Sequence, residues 1–136
     1  MQELAGSLQE RFVFLQPINF FMGQCLFCKI AKGEIASETV YEDKDVRVFT
    51  DLHPKAPVHL LIIPKIHIAS IAHLEENHTA IIFHMIFTAK QVAEMQGLKG
   101  FKLVFNVGRA GGQVIDHLHL HLLGGRKERG EEGGRN

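Results

Sequence analysis

The sequence has no excess charge of either sign and no long apolar run. Its 136 residues include 15 Lys or Arg and 15 Asp or Glu, so the formal net charge is zero. This balance gives no electrostatic argument for binding a nucleic acid or a membrane surface. Each apolar run is broken by a charged residue, His, Pro or Gly, which excludes a transmembrane span. The length suits one domain with one core.

Cysteine is scarce, and both copies lie in one C-x-x-C motif at Cys25 and Cys28. One such motif cannot build a disulfide framework and is typical of half a zinc site or of a redox pair. The redox interpretation is less favoured because no thioredoxin-like βαβ pattern surrounds the motif. Two ordinary buried cysteines remain an alternative.

The two ends of the sequence differ from its middle. A short apolar run at residues 12–15 hints at a signal peptide, but polar residues and Pro17 interrupt it and no small-residue cleavage site follows. We therefore expect residues 1–24 to be an extension outside the domain, 25–126 to form the domain, and 127–136 to be a flexible tail. The cysteine content without a signal peptide favours a cytoplasmic protein.

The hydrophobic pattern predicts an α+β domain with a five-stranded antiparallel sheet, one short helix and one long helix. The short helix is predicted at 26–33 and the long helix at 78–96. The strands are predicted at 40–42, 45–50, 58–64, 101–107 and 117–123.

The long helix has two apolar faces. One stripe, at helical spacing, comprises Ile82, Met85, Ile86, Ala89 and Val92. Phe83 and Phe87 form a second apolar line on a neighbouring face. One face would pack on the sheet and the other on a partner chain.

The segment from His117 to Leu122 alternates His and Leu without interruption. On a strand, His117, His119 and His121 would share one face, and the leucines would pack in the core. A rise of about 3.3 Å per residue puts the outer two about 13 Å apart, so one metal ion cannot bind all three. A polar face without chemistry and a metal shared by an adjacent pair are alternatives. Separate roles fit best, because imidazole serves as a nucleophile or general acid near neutral pH.

A glycine-rich loop, Gly108 to Gly112, precedes the histidines and is flanked by Asn106 and Gln113. Glycines let backbone N–H groups approach an anion, and the two amides supply neutral hydrogen bonds. The loop is therefore a candidate phosphate cradle.

Residues 111–126 resemble the histidine triad (HIT) signature, and the ending Gly124-Gly125-Arg126 is similar to the Hint branch of that family. Further segments match the family in the same order upstream: Leu26–Ile30, Gly33–Ile35, Val40–Asp43, Asp51–His59 and Ile63–His67. The resemblance extends from Cys25 over roughly three quarters of the chain.

The resemblance implies a purine nucleoside phosphoramidase that cleaves a P–N bond. His119 would attack the α-phosphorus and form a nucleotidyl-histidine intermediate. His121 would contact the phosphate or help to protonate the leaving group, while His59 and His117 complete the polar network. A dinucleoside polyphosphate hydrolase and a nucleotide-binding or interaction module with little turnover are the alternatives.

The resemblance also implies the nucleotide contacts. Asp51 would accept hydrogen bonds from the ribose, and no organic cofactor is expected. The base would contact Leu26, Phe27, Ile30, Phe49 and Leu52, and the phosphate would lie near Asn106, Gly112, Gln113 and Val114. Val114 replaces a residue that is often polar in Hint-type proteins.

By the same resemblance, structural zinc would be bound by Cys25, Cys28, His67 and His117. His117 can hardly serve both as a zinc ligand and as a proton relay, so the two roles compete. The family is typically dimeric, with the sheet continuous across the interface. The partners expected are therefore a purine nucleotide and a second copy of the chain.

Overall fold

The computed structural model describes residues 25–126, and its centre is one antiparallel sheet of five strands. The strands are β1 (Thr39–Glu42), β2 (Val46–Thr50), β3 (Val58–Pro64), β4 (Phe101–Val104) and β5 (Leu120–Gly124). Their order across the sheet is β1-β2-β3-β5-β4, and all neighbours are antiparallel. The predicted α+β class and strand number are confirmed. The predicted ends, 1–24 and 127–136, lie outside the described residues.

Two helices pack against the sheet, α1 (Leu26–Ala31) and α2 (Thr79–Met95). Cys25 caps α1, because its Sγ accepts a hydrogen bond from the backbone N–H of Cys28 at 3.3 Å. Short 3₁₀ turns occupy Ile71–His73, Glu76–His78 and Arg109–Gly111. Within the described range, no helix has the length and apolarity that crossing a membrane requires.

The two faces of the sheet have separate cores. The α2 side buries, among others, Val46, Val48, Leu60, Ile62, Met85, Ala89, Val92, Leu118, Leu120 and Leu122. The α1 side buries Phe27, Ile30, Ala31, Phe49, Leu61 and Ile63. Strand β3 is therefore covered on both sides, as its continuous apolar run predicts.

The long helix departs from its predicted stripe at one position. Met85, Ala89 and Val92 are fully buried, but Ile86 is 41% exposed. Phe83 and Phe87 are also exposed and stack with ring centroids 6.0 Å apart. Ile86 belongs with these phenylalanines on the outward face of α2.

The last two strands are shorter than the alternating pattern predicts. Strand β4 ends at Val104 rather than 107, and β5 begins at Leu120 rather than 117. The chain between them turns at Gly108 and Gly112, both with positive φ, a conformation that glycine adopts freely. Leu118 then donates its N–H to the Ile68 carbonyl at 2.6 Å instead of pairing with β4. His117 and His119 therefore precede the strand, and the prediction of three histidines on one strand was wrong.

Candidate active site and metal centre

His119 is held in one tautomer by the backbone. Its Nδ1 lies 2.7 Å from the His117 carbonyl oxygen, and a carbonyl only accepts, so Nδ1 carries the proton. Neutral His119 therefore keeps its lone pair on Nε2. The ring is 7% exposed, and Phe27 packs edge-on against it at 5.1 Å. The arrangement presents an oriented nitrogen nucleophile.

His117 faces the opposite way. Its Nε2 donates to the Pro64 carbonyl oxygen at 2.9 Å, which leaves the Nδ1 lone pair directed at Cys25, Cys28 and His67. The residue is completely buried, and this burial lowers the pKa of His117 to about 4, so the ring is neutral. Its side chain thus joins the cysteine cluster, and only its backbone carbonyl reaches His119.

The cysteine cluster has the dimensions of a zinc site. The His117 Nδ1 atom lies 3.4 Å from Cys25 Sγ, 3.5 Å from Cys28 Sγ and 3.2 Å from His67 Nδ1. Cys28 Sγ lies 3.2 Å from His67 Nδ1. A tetrahedral zinc ion with Zn–S about 2.3 Å and Zn–N about 2.0 Å separates its ligands by roughly 3.3–3.8 Å. The four predicted metal ligands therefore converge as such an ion requires.

The cysteine protonation state fits a metal-binding role. Burial, reinforced by the hydrogen bond and charge of Cys25, raises the pKa of the Cys28 thiol to about 11. The apoprotein therefore keeps this thiol protonated at neutral pH. A divalent cation would stabilise the thiolate, and its binding would release the proton.

A second polar group lies where β3 pairs with β5. His59 Nε2 is 3.0 Å from His121 Nδ1 and 3.3 Å from Asp51 Oδ2. The backbone N–H of Lys55 donates to His59 Nδ1 at 3.0 Å, so the neutral His59 ring is protonated on Nε2. The rings of His119 and His121 have centroids 5.0 Å apart. This network therefore borders His119.

Both histidines of this network are neutral at neutral pH. Burial lowers the pKa of His59, an effect that the Asp51 carboxylate opposes and the Lys55 ammonium assists. Burial also lowers the pKa of His121 to about 4, and His119 and His59 contribute in the same direction. Both rings can therefore take part in hydrogen bonds as neutral groups.

The amide of Gln113 makes its hydrogen bonds within the protein. Its Nε2 donates to the carbonyls of Ala69 and Ile115, both at 2.8 Å, and its Oε1 accepts from the Gly108 N–H at 2.9 Å. The side chain is buried and its hydrogen-bonding groups are all in use. The sequence analysis assigned this amide to the nucleotide. That assignment is corrected, because the Gln113 side chain holds the glycine-rich loop in shape instead.

The predicted phosphate cradle also needs correction. The N–H groups of Gly111, Gly112 and Gln113 donate to carbonyls within the same turn at 3.0 Å. Asn106 Nδ2 donates to the Gly111 carbonyl at 2.9 Å. These donors stabilise the loop itself and cannot all be directed at an anion.

The apolar residues predicted to contact the nucleotide divide into two groups. Phe27, Ile30 and Phe49 are buried, and the two phenylalanine rings pack edge-to-face at 5.5 Å. Leu26, Leu52 and Val114 are 43%, 89% and 75% exposed. The first group forms the floor beside His119, and the second group is open to solvent.

Several structural contacts were missed from sequence because they use the backbone. Lys55 orients His59 through its N–H, and Arg126 donates to the Lys55 carbonyl. One side-chain contact, at Asp116, was missed as well. Asp116 forms a two-point ion pair with Arg109 at 2.8 and 3.0 Å across the glycine-rich loop.

Fold and site together define a class of protein: an α+β domain in which His67 and His117 join a cysteine cluster, and His59 and His121 form a polar network beside His119. The family model described as "Scavenger mRNA decapping enzyme C-term binding" matches residues 24–134. The chain therefore belongs to the HIT family.

Curated relatives match over most of their length. "Protein HitA" of Neisseria gonorrhoeae is 45% identical, over 76% of this chain and 97% of that protein. The "14 kDa zinc-binding protein" of Zea mays is 46% identical, over 75% and 82%. The "Purine nucleoside phosphoramidase" of Escherichia coli (strain K12) is 42% identical, over 76% and 88%.

Solved structures share the fold. A HIT family hydrolase from Legionella pneumophila Philadelphia 1 is 50% identical with a TM-score of 0.75, over 76% of this chain and 95% of that one. A Zn-bound histidine triad family protein from Mycobacterium smegmatis is 26% identical with a TM-score of 0.68, over 79% and 78%. The chain is thus a relative of HIT family hydrolases, and its neighbours include proteins named for zinc.

Proposed function

We propose that the chain hydrolyses purine nucleoside 5′-phosphoramidates at the P–N bond, with His119 as the nucleophile. One observation carries the proposal: the His117 carbonyl holds the proton of His119 on Nδ1 and leaves the Nε2 lone pair for attack. The relationship to the Escherichia coli phosphoramidase supports the substrate class.

In the first step, Nε2 of His119 attacks the α-phosphorus and the P–N bond breaks. The electron pair of that bond goes to the leaving nitrogen, which takes up a proton from solvent and departs as an amine. The nucleotidyl-imidazolium that forms keeps its Nδ1–H on the His117 carbonyl, which stabilises the positive charge. Water then attacks phosphorus and gives up a proton to solvent, the bond from phosphorus to Nε2 breaks, and the nucleoside monophosphate leaves with His119 regenerated.

A chain of hydrogen bonds directs a donor toward the phosphate. The Lys55 N–H fixes the proton of His59 on Nε2, and this Nε2–H donates to Nδ1 of His121. Neutral His121 then carries its own proton on Nε2, where it can donate to a phosphate oxygen or to the leaving nitrogen. In this scheme His121 donates a hydrogen bond to these groups, the proton for the amine comes from solvent, and His59 is a positioning residue.

The nucleoside would lie over the buried floor of Phe27, Ile30 and Phe49, and Leu26 and Leu52 would close on the base. The Asp51 carboxylate, whose Oδ1 already accepts the His53 N–H at 2.8 Å, would accept from the ribose hydroxyls. Asn106, Gly112 and Val114 would border the phosphate. Exposed Val114 offers no polar side-chain group to the scissile bridge.

The test is AMP release from adenosine 5′-phosphoramidate by the wild-type protein and by His119→Ala. We expect turnover by the wild type and a loss of several orders of magnitude in the variant. His53→Ala, which alters an exposed histidine of the neighbouring loop, serves as the control. Binding of AMP without release from any phosphoramidate or dinucleoside polyphosphate would instead favour a binding module.

We also propose that Cys25, Cys28, His67 and His117 bind a structural zinc ion. Support comes from the convergence of their donor atoms and from zinc-binding relatives. The ion would link α1 to the segment that carries His119. The Nε2–H bond of His117 to Pro64 would orient this ligand, as second partners of metal-bound histidines commonly do.

A homodimer is the third part of the proposal. Strand β4 is at one edge of the sheet, and apolar side chains are exposed on it and on α2: Phe83, Ile86, Phe87, Met95, Phe101 and Leu103. Pairing of two β4 edges would continue the sheet and cover these residues. A cytoplasmic location remains a prediction from the sequence.

A further inference from the structure

The run Gly124-Gly125-Arg126 has no part in the proposed reaction, yet it brings the chain back to the loop that precedes β3. Gly125, directly after β5, has a φ of 86°, a conformation that L side chains rarely adopt. A Cβ at this position would lie 3.0 Å from the Cβ of Pro57. The glycine therefore lets the chain turn close against this loop, and Nη2 of Arg126 donates to the Lys55 carbonyl.

The backbone of Lys55 is held at both of its polar groups. Its carbonyl accepts from Arg126, and its N–H donates to His59 Nδ1 at 3.0 Å. The guanidinium is a charged donor, and hydrogen bonds from charged groups are stronger than those between neutral groups. Arg126 thus helps to fix the N–H that orients the His59 ring.

The orientation of the His59 ring decides which acceptor receives its Nε2 proton. His121 Nδ1 lies 3.0 Å from this nitrogen, and Asp51 Oδ2 lies 3.3 Å from it. The carboxylate is charged, so it would be the stronger acceptor for a ring that was free to turn. In the anchored ring, Nε2 is instead closer to His121.

We propose that Arg126 is a positioning residue that, through Lys55, keeps the His59 proton directed at His121 rather than at Asp51. His121 Nδ1 then accepts a hydrogen bond, so the neutral ring carries its own proton on Nε2. If His59 turned to Asp51, its proton would no longer fix the His121 tautomer. One of the two His121 tautomers would direct a lone pair at the phosphate and repel it. The effect on turnover rests on the proposed function, but the order of these hydrogen bonds does not.

The test is nitrogen NMR of the full chain labelled with ¹⁵N-histidine at neutral pH, which identifies the protonated nitrogen of each ring. We expect the proton of both His59 and His121 on Nε2 in the wild type. Arg126→Met removes the donor and should shift His121 toward a mixture of tautomers. Gly125→Ala, whose Cβ would crowd Pro57, should cause the same shift. Arg126→Lys keeps a cationic donor and should retain more of the Nε2–H form than Arg126→Met.

Kinetics of the same variants separate positioning from direct binding. Arg126→Met should lower kcat for adenosine 5′-phosphoramidate about ten- to hundredfold, because a group that faces the phosphate is misplaced. Its affinity for AMP should change little. Lys44→Met is the matched control, since it removes an exposed cation from the turn between β1 and β2, at the opposite end of β2 from Asp51. It should match the wild type in both NMR and kinetics.

Several outcomes would overturn the proposal. They are a wild-type His121 protonated on Nδ1, an unchanged His121 tautomer in both Arg126→Met and Gly125→Ala, or an equal shift in Lys44→Met. A loss of AMP affinity in Arg126→Met with an unchanged tautomer would also overturn it, because Arg126 would then contact the nucleotide directly. The expected tautomers in a wild-type protein that cleaves no phosphoramidate would contradict the proposed function but support the role of Arg126.

Discussion

The side chain of His119 and the backbone of His117 are joined by one hydrogen bond, Nδ1 to carbonyl oxygen at 2.7 Å. The ring of His117 meanwhile points away, toward Cys25 and Cys28. His117 thus contacts the proposed nucleophile through its backbone and the cysteine cluster through its side chain. Loss of zinc should consequently disturb catalysis without removing any group that touches substrate.

Removal of the metal is the first prediction. Cys28→Ser should reduce zinc content from one per chain toward zero and lower the thermal midpoint, because the link between α1 and the histidine segment is lost. Zinc analysis and calorimetry on the same preparation measure both effects. An unchanged midpoint after complete loss of zinc would contradict a structural role.

Acid should destabilise the apoprotein through its buried histidines. The pKa values of His117 and His121 are lowered to about 4, whereas unfolded histidine titrates near about 6.5. Between these values the unfolded chain binds more protons, so the free energy of unfolding falls as pH falls from about 6.5 to 4. Each histidine lowers the free energy of unfolding by up to about 1.4 kcal/mol for each unit by which the pH falls in this range.

Urea unfolding of the metal-free protein at several pH values tests this slope. His121→Gln should flatten it by about the share of one histidine, while His53→Gln, at an exposed position, should leave it unchanged. A stability that rises as the pH is lowered through this range would show that these rings are charged in the folded state.

Gln113→Glu should damage the loop although it changes only one group. The two amide donors to Ala69 and Ile115 would be replaced by an oxygen that faces both carbonyls in a buried position. We expect a loss of about 2–4 kcal/mol in stability and a fall in kcat larger than the change in KM. Val107→Ala, at an exposed position beside the same loop, is the matched control for urea unfolding and kinetics.

Phe87→Ser should weaken the dimer. Phe83 and Phe87 are exposed and stacked on the outward face of α2, where a second copy would cover them. Sedimentation velocity should show a dimer for the wild type and a shift toward monomer for the variant. Val107→Ser removes an apolar residue of similar exposure outside α2 and β4 and should remain dimeric. A monomeric wild type would rule out the proposed assembly.

The sequence allowed prediction of those features that depend on side-chain type and spacing. The buried run of β3 and the apolar stripe of α2 follow from such patterns, whereas the convergence of Cys25 and Cys28 with two histidines was expected from the family resemblance. The alternation of His and Leu wrongly predicted that His117 and His119 lie on the last strand. There, tertiary hydrogen bonds to the backbone of Pro64 and Ile68 replace strand pairing.

Backbone acceptors leave no trace in residue identity. The orientation of Gln113 depends on the carbonyls of Ala69 and Ile115, and any residue at those positions supplies a carbonyl. The same holds for Lys55, whose N–H sets the tautomer of His59. The sequence therefore identified the candidate functional side chains better than it predicted their orientations.

The most direct test of the account is a search for the covalent intermediate. The wild-type protein would be mixed with adenosine 5′-phosphoramidate, quenched within one turnover at alkaline pH, digested and analysed by mass spectrometry. We predict an adenylyl group on the peptide that carries His119, localised to that residue and absent from His119→Ala. AMP formation without any adenylylated peptide, or with the group on His121, would contradict His119 as the nucleophile.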